Sequence, residues 1–158
     1  MREQETIAES FATTVWLVQR FTEGLTHADS VATPPFRANS FNWVLGHMLV
    51  SRDRALKLLQ REAMLSNEER ALYETGSDPV TSTTAVDLAR LMDALLTSQS
   101  SLANGLVAAT DAEMTRIVDA DRDLTLKDRL KALHWHETYH LGQLEILRQV
   151  SREQDPYP

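Results

Sequence analysis

The chain has no cysteine. That excludes disulfides, thiolate metal ligands and a cysteine nucleophile, and it fits a cytoplasmic location. Proline and glycine are scarce at five each, and the prolines are bunched at Pro34-Pro35, Pro79, Pro156 and Pro158, so long spans run without a breaker. Long apolar runs are missing too. Nothing approaches the roughly 18 residues a membrane span requires, and no membrane partner is expected. The start, Met1-Arg2-Glu3-Gln4-Glu5, is polar and lacks the apolar stretch of a secretory signal. Positive charge is in deficit, 16 Lys+Arg against 23 Asp+Glu for a net −7, and such a surface repels phosphate backbones. The densest basic stretch, Arg52 and Arg54 to Lys57 and Arg61, is interrupted by Asp53 and spaced like a solvated helix face. No basic patch is evident, and no nucleic-acid partner is expected.

What remains is an ordinary globular composition, 42% hydrophobic and 25% charged, in 158 residues that suit one domain spanning positions 1–158. Four spans carry apolar residues every three or four positions and read as helices. The first runs from about Glu3 to Leu25. The second starts at Ser40, a good N-cap, and runs to about Ala63. The third starts at Thr84, and the fourth runs from Thr125, opening Thr125-Leu126-Lys127-Asp128, to near Arg152. Ser66-Asn67-Glu68-Glu69 fits a capping box and suggests a short helix within the second connection. Nothing alternates with period two for long enough to argue a sheet. The fold class is all-α, most simply a four-helix bundle with long connections.

The fourth helix carries the chemistry, in Leu133-His134-Trp135-His136-Glu137-Thr138-Tyr139-His140-Leu141-Gly142-Gln143-Leu144. A stripe of Leu126, Leu130, Leu133, Leu144 and Leu147 is broken where Glu137 and His140 fall, with His136 on its edge. Burying such groups costs free energy unless they are bonded or coordinated. Histidines at i and i+4 share a helix face, one turn apart, and can bind one metal ion. A third ligand must come from elsewhere. His27 falls in a connection and His134 faces roughly 160° away from His136. His47, in the second helix, points away from the Leu45/Leu49/Leu56 stripe but is flanked by Trp43, Val44, Val50 and Leu58, a second apolar face. His47 is therefore the candidate third ligand, with His27 and His134 left to surface or hydrogen-bonding roles. Trp135 and Tyr139 read as packing residues. His136-Glu137-Thr138-Tyr139-His140 also matches H-E-x-x-H, the zincin signature, but neither the downstream third ligand nor a substrate-binding edge strand accompanies it, so a protease reading is set aside.

Asn42-Trp43-x-x-Gly46-His47 in the second helix, followed by Thr125-Leu126 and His136-Glu137-x-x-His140-x-Gly142-Gln143 in the last, resembles the DinB/YfiT-like superfamily over nearly the whole chain. The resemblance implies an up-down-down-up four-helix bundle, often dimeric. It also implies a centre of three histidines (His47, His136, His140) holding Zn, Ni or a similar divalent ion. It implies further that the chemistry is a thiol-dependent transfer or isomerisation drawing on a low-molecular-weight thiol. Three neutral imidazoles leave coordination positions open for water or a thiol, as in catalytic rather than structural zinc sites. Glu137 is the candidate proton acceptor, or else it orients a ligand, and Gln143 is the candidate partner of the centre from below. Gly46 and Gly142 suggest close helix approach. The leading expectation is a metal-dependent transferase or hydrolase of small electrophiles. A metal-binding stress-response protein without turnover comes second, and a bundle with hydrogen-bonded histidines and no metal third. A homodimer is expected from the two-sided apolar character of the second helix and from the resemblance.

Overall fold

The computed structural model describes residues 2–151. Helix α1 (Glu3–Thr22) buries Ile7, Phe11, Val15 and Val18, the face that its three-to-four spacing creates. It ends before Leu25 because Gly24 turns the chain through φ 71°. A single turn, α2 (His27–Ser30), follows. Helix α3 (Phe41–Leu58) starts where Ser40 Oγ accepts the Trp43 N–H at 3.3 Å. It stops short of Ala63 because Gln60 adopts φ 58° and the Arg61 N–H returns to the Leu56 carbonyl at 2.8 Å, a Schellman-type closure. The capping box at Ser66 and Glu69 opens α4 (Asn67–Ala71) as the sequence suggests. Helix α5 (Leu88–Ala108) begins four positions after Thr84. The Thr84 hydroxyl is taken up in a turn with Thr81, and Asp87 caps the Ala89 N–H instead.

After α6 (Asp111–Met114), the strands β1 (Ile117–Asp119) and β2 (Leu124–Thr125) pair antiparallel. The sequence reading missed this hairpin because five residues are too few to display a period of two. Helix α7 (Leu126–Ser151) is opened by a reciprocal cap between Thr125 and Asp128; its expected end near Arg152 lies outside the described residues.

Helix α3 packs against α5 and α7, and α1 packs against the same two. Two apolar clusters fill the bundle. One gathers Val15 and Val18, Phe41 to Val50, Leu91 and Leu95, and Leu144 and Leu147. The other gathers Ile7 and Phe11, Ala55 and Leu56, Leu102 and Leu106, and Leu126 to Leu133. Helices α1 and α7 thus run from the second cluster to the first, while α3 and α5 run the opposite way. Every residue of α3 from Phe41 to Asp53 is buried within the chain. Both its apolar faces are therefore covered by α5, α7 and the 60–86 connection, so they supply no dimer surface. Trp135 and Tyr139, expected as packing residues, lie on the outer side of α7 at 68% and 57% exposure, their rings stacked 6.1 Å apart.

Candidate metal centre

Between the two apolar clusters lies a polar layer, and three of its members converge. His47 on α3 and His136 and His140 on α7 each offer a ring nitrogen, all within 4.8 Å of one another. The Nε2 atoms of His136 and His140 are 3.1 Å apart, and the ring centroids lie 4.4 to 5.2 Å from one another. The pair on α7 meets because i and i+4 share a face, and His47 meets it because α3 is buried on the side that its leucine stripe leaves free.

Each imidazole is held from behind. The His47 Nδ1–H donates to the Tyr73 carbonyl at 2.8 Å, which leaves Nε2 as the bare nitrogen of the neutral ring. His140 Nδ1 lies 2.6 Å from Gln143 Oε1, and His136 Nδ1 lies 3.1 Å from Ser51 Oγ. In all three rings Nδ1 is thus engaged by the protein and Nε2 is left for the interior, the arrangement in which an outer partner fixes ring orientation and tautomer for a ligand. Trp43 stacks flat on His47, with centroids 4.9 Å apart and planes at 10°. Gly46 admits the ring of Tyr73 to the space a Cβ would occupy, which brings the Tyr73 carbonyl to His47. Gly142, by contrast, has open space beside it and serves no close approach.

Burial disfavours the charged form of the centre's two imidazoles on α7. Burial, reinforced by the neighbouring His140 and His47, pushes His136 down to about 4, and burial lowers His140 as well. Three imidazole nitrogens within 4.8 Å of one another form a donor set for a borderline divalent cation. The residues present therefore fit such an ion.

Glu137 sits elsewhere. Its carboxylate is fully buried and both oxygens face Arg52: Nη2–H donates to Oε2 at 3.0 Å, and Nε lies 2.7 Å from Oε1, an ion-pair contact rather than an aligned hydrogen bond. Arg52 also donates to Ser98 Oγ at 3.2 Å, to Gln99 Oε1 at 3.1 Å and to the Phe11 carbonyl at 3.0 Å. One guanidinium thus ties α3 to α1, α5 and α7 directly beside the histidines. Both oxygens are thus turned to Arg52, a geometry that matches the orienting role raised for Glu137 better than the proton-accepting one. Gln143, one heptad beyond His136, places its Oε1 2.6 Å from His140 Nδ1. Sequence reasoning missed Ser51 and Tyr73, and it read Arg52 as part of a solvated helix face, whereas that side chain is fully buried. Ser51 was within reach, one turn after His47 on the same face, and a glutamate inside a leucine stripe called for a buried cation. His134 contacts Thr14 Oγ1 at 3.3 Å and Phe11 edge-on, and His27 accepts the Leu88 N–H at 3.3 Å, both hydrogen-bonding roles.

A cleft of about 510 Å³ adjoins the centre, bounded by Phe36, Trp43, Tyr139, His140, Gln143 and Ile146. A helical bundle that aims three imidazoles at one point beside an open cleft defines a candidate three-histidine metalloprotein. The DinB superfamily profile matches residues 11–144, and the chain belongs to that superfamily. A solved structure described as the conserved protein of locus from Enterococcus faecalis superimposes with a TM-score of 0.76 at 16% identity. The match covers 98% of this chain and 99% of that one, and it shows a shared fold. No functionally curated protein matches the sequence.

Proposed function

We propose that the chain is a metal-dependent enzyme acting on small electrophiles, a transferase or hydrolase in which His47, His136 and His140 hold a divalent ion, Zn or Ni. The observation that carries the reading is the meeting of three imidazoles whose Nδ1 atoms are all engaged by the protein and whose ligand nitrogens lie within 4.8 Å of one another. An ion held there by three protein ligands would lower the pKa of water or a thiol bound in an open position, making either a nucleophile at neutral pH.

The protein's own residues supply the rest. Tyr73, Ser51 and Gln143 hold the rings in orientation. The Arg52–Glu137 pair fixes α3 against α7 and so sets the spacing of His47 from the other two. The cleft walled by Trp43, Phe36 and Ile146 offers apolar contact to a substrate beside the histidines. Such an opening beside the histidines favours turnover over a metal-storing stress protein. The absence of cysteine is consistent with an external low-molecular-weight thiol as co-substrate. The apolar side chains left on the outer face of α7, Trp135, Tyr139 and Ile146, support a homodimer, which light scattering at micromolar concentration would show and a monomer there would refute.

Elemental analysis and a monochlorobimane assay test the main reading together. The purified protein is expected to carry about one divalent ion per chain and to accelerate thiol addition, both lost in His47→Ala. Full loading without consumption of the probe by any thiol would reduce the reading to metal binding, and no loading at all would end it.

A further inference from the structure

Four cations that are scattered in the sequence meet on the surface. Arg54 and Lys57 from α3, Arg116 from the turn before β1, and Arg129 from α7 line one cleft of about 580 Å³. Leu58, Ile117 and Val118 give it an apolar floor, and no acidic side chain lines it. Reading Arg54 and Lys57 as a solvated helix face captured one wall only; the opposite wall comes from residues about sixty positions or more away. In a chain with seven more carboxylates than cations, four neighbouring like charges repel one another unless something compensates them. Little compensates them. Arg54 meets Glu74 at 2.8 Å, with both side chains about two-fifths exposed, and Arg116 feels the exposed Glu113 nearby. Lys57 and Arg129 make no ion pair among the described residues. Exposed pairs of this kind are worth little and exchange readily.

The cleft is not remote from the histidines. Arg54 follows His47 by seven positions and Ser51 by three on α3, and Arg129 precedes His136 by seven on α7. Each arginine therefore lies on the same face as its histidine, two helical turns along, on the order of 10 Å away. Both guanidiniums also act electrostatically on the His136 ring.

We propose that this cleft is an anion-binding subsite, taking the carboxylate or phosphate groups of the small molecule whose other end reacts at the three-histidine centre. The inference rests on the reading of that centre as a metal site and names its substrate class: an anion whose charged end lies on the order of 10 Å from its reacting atom, the span of about three extended residues. The apolar floor takes the intervening carbon skeleton. Guanidinium groups favour planar, bidentate anions, whereas an uncharged substrate would gain nothing from this wall.

Two NMR arms test the proposal, and the first needs no metal. Metal-free protein at low ionic strength is titrated with inorganic phosphate and, separately, with succinate, following the backbone amides of residues 54–58, 116–118 and 129. Saturable shifts confined to these residues are expected in the millimolar range with at least one of the two anions, and whichever binds tells phosphate from carboxylate as the recognised group. Affinity should fall about tenfold in Arg116→Gln and in Arg129→Gln, the scale of one charge-assisted hydrogen bond, and should be unchanged in Arg122→Gln, which lies outside the cleft. No saturation with either anion, or binding in the two cleft variants as tight as in the native chain, would overturn the subsite. In the second arm, protein loaded with Co²⁺ should broaden the resonances of the bound anion through its proximity to the paramagnetic ion. A bound anion that is not broadened would sever the link to the centre. A chain that takes up no Co²⁺ would defeat the metal reading while leaving the first arm's result standing.

Discussion

Removing Glu137 alone would strand the Arg52 charge in the core, since that side chain has 0% exposure and loses its only ionic partner among the described residues. Breaking one half of a buried pair costs about 3–5 kcal/mol, whereas replacing both halves by apolar side chains of similar volume is often neutral. Glu137→Gln is therefore expected to lower denaturant-unfolding stability by about 3–5 kcal/mol, and Arg52→Met with Glu137→Leu to recover most of it. A double variant as weak as the sum of its singles would contradict the pairing. Tyr73 offers a pH test at the same scale. Its hydroxyl donates to Asn42 Oδ1 at 2.9 Å and accepts the Val86 N–H at 2.8 Å, and burial pushes its pKa from 10.0 to about 12. A group whose folded pKa is raised stabilises fully below its unfolded pKa and loses that contribution as pH climbs through the folded one. The stability advantage of the native chain over Tyr73→Phe, about 1–3 kcal/mol for two stranded buried partners, should hold up to pH 10 and shrink between pH 10 and about 12. An advantage that is flat to pH 12 would show that folding does not raise the pKa of the phenol.

Among the elements, α3 and α7 were the most legible, because a leucine stripe interrupted by polar groups is visible in one dimension. His136 and His140 followed from helical spacing alone. His47 required the second apolar face of α3 to be read as buried, which it is. Element ends were less legible. Gln60 closes α3 in a left-handed conformation that its side chain does not advertise, and Thr84 offered a cap that the chain spends on a turn. Wholly illegible were the contacts that cross the bundle. Nothing in the order of residues says that Arg52 reaches Glu137, or that Arg116 joins Arg129 across a cleft. The two glycines beside the ligands show the same limit, since the sequence treats them alike and the structure does not. Gly46→Ala would put a methyl group into the Tyr73 ring, displacing the carbonyl that orients His47. It should lower both thermal stability and metal affinity. Gly142→Ala meets nothing within 4 Å and removes a mid-helix glycine, so it should stabilise by up to about 1 kcal/mol with metal affinity unchanged. Equal effects of the two substitutions in calorimetry and metal titration would refute the close approach at Gly46.

At the scale of the whole molecule, the two apolar clusters are separated by a polar layer in which the histidines contribute cost until something binds them. An ion held by α3 and α7 together would bind the folded chain and not the unfolded one, adding about 2.7 kcal/mol of stability at a hundredfold excess over its dissociation constant. For a chain of this length that corresponds to a rise in Tm of about 5–10 °C. Zn²⁺ or Ni²⁺ should produce such a rise, a chelator should reverse it, and His140→Ala should abolish it. The pH dependence has a definite sign. Burial and the neighbouring rings hold His136 near 4, against an ordinary 6.5, so the folded state carries fewer protons than the unfolded one between those values. Metal-free stability from this group is therefore present above pH 6.5 and lost as pH falls toward 4. The metal-induced rise should shrink toward pH 4 as protons compete with the ion for the His136 nitrogen. A rise in Tm that persists undiminished in His140→Ala would place the ion outside the cluster, because a centre built from imidazoles on two helices cannot keep its affinity after losing one of three ligands.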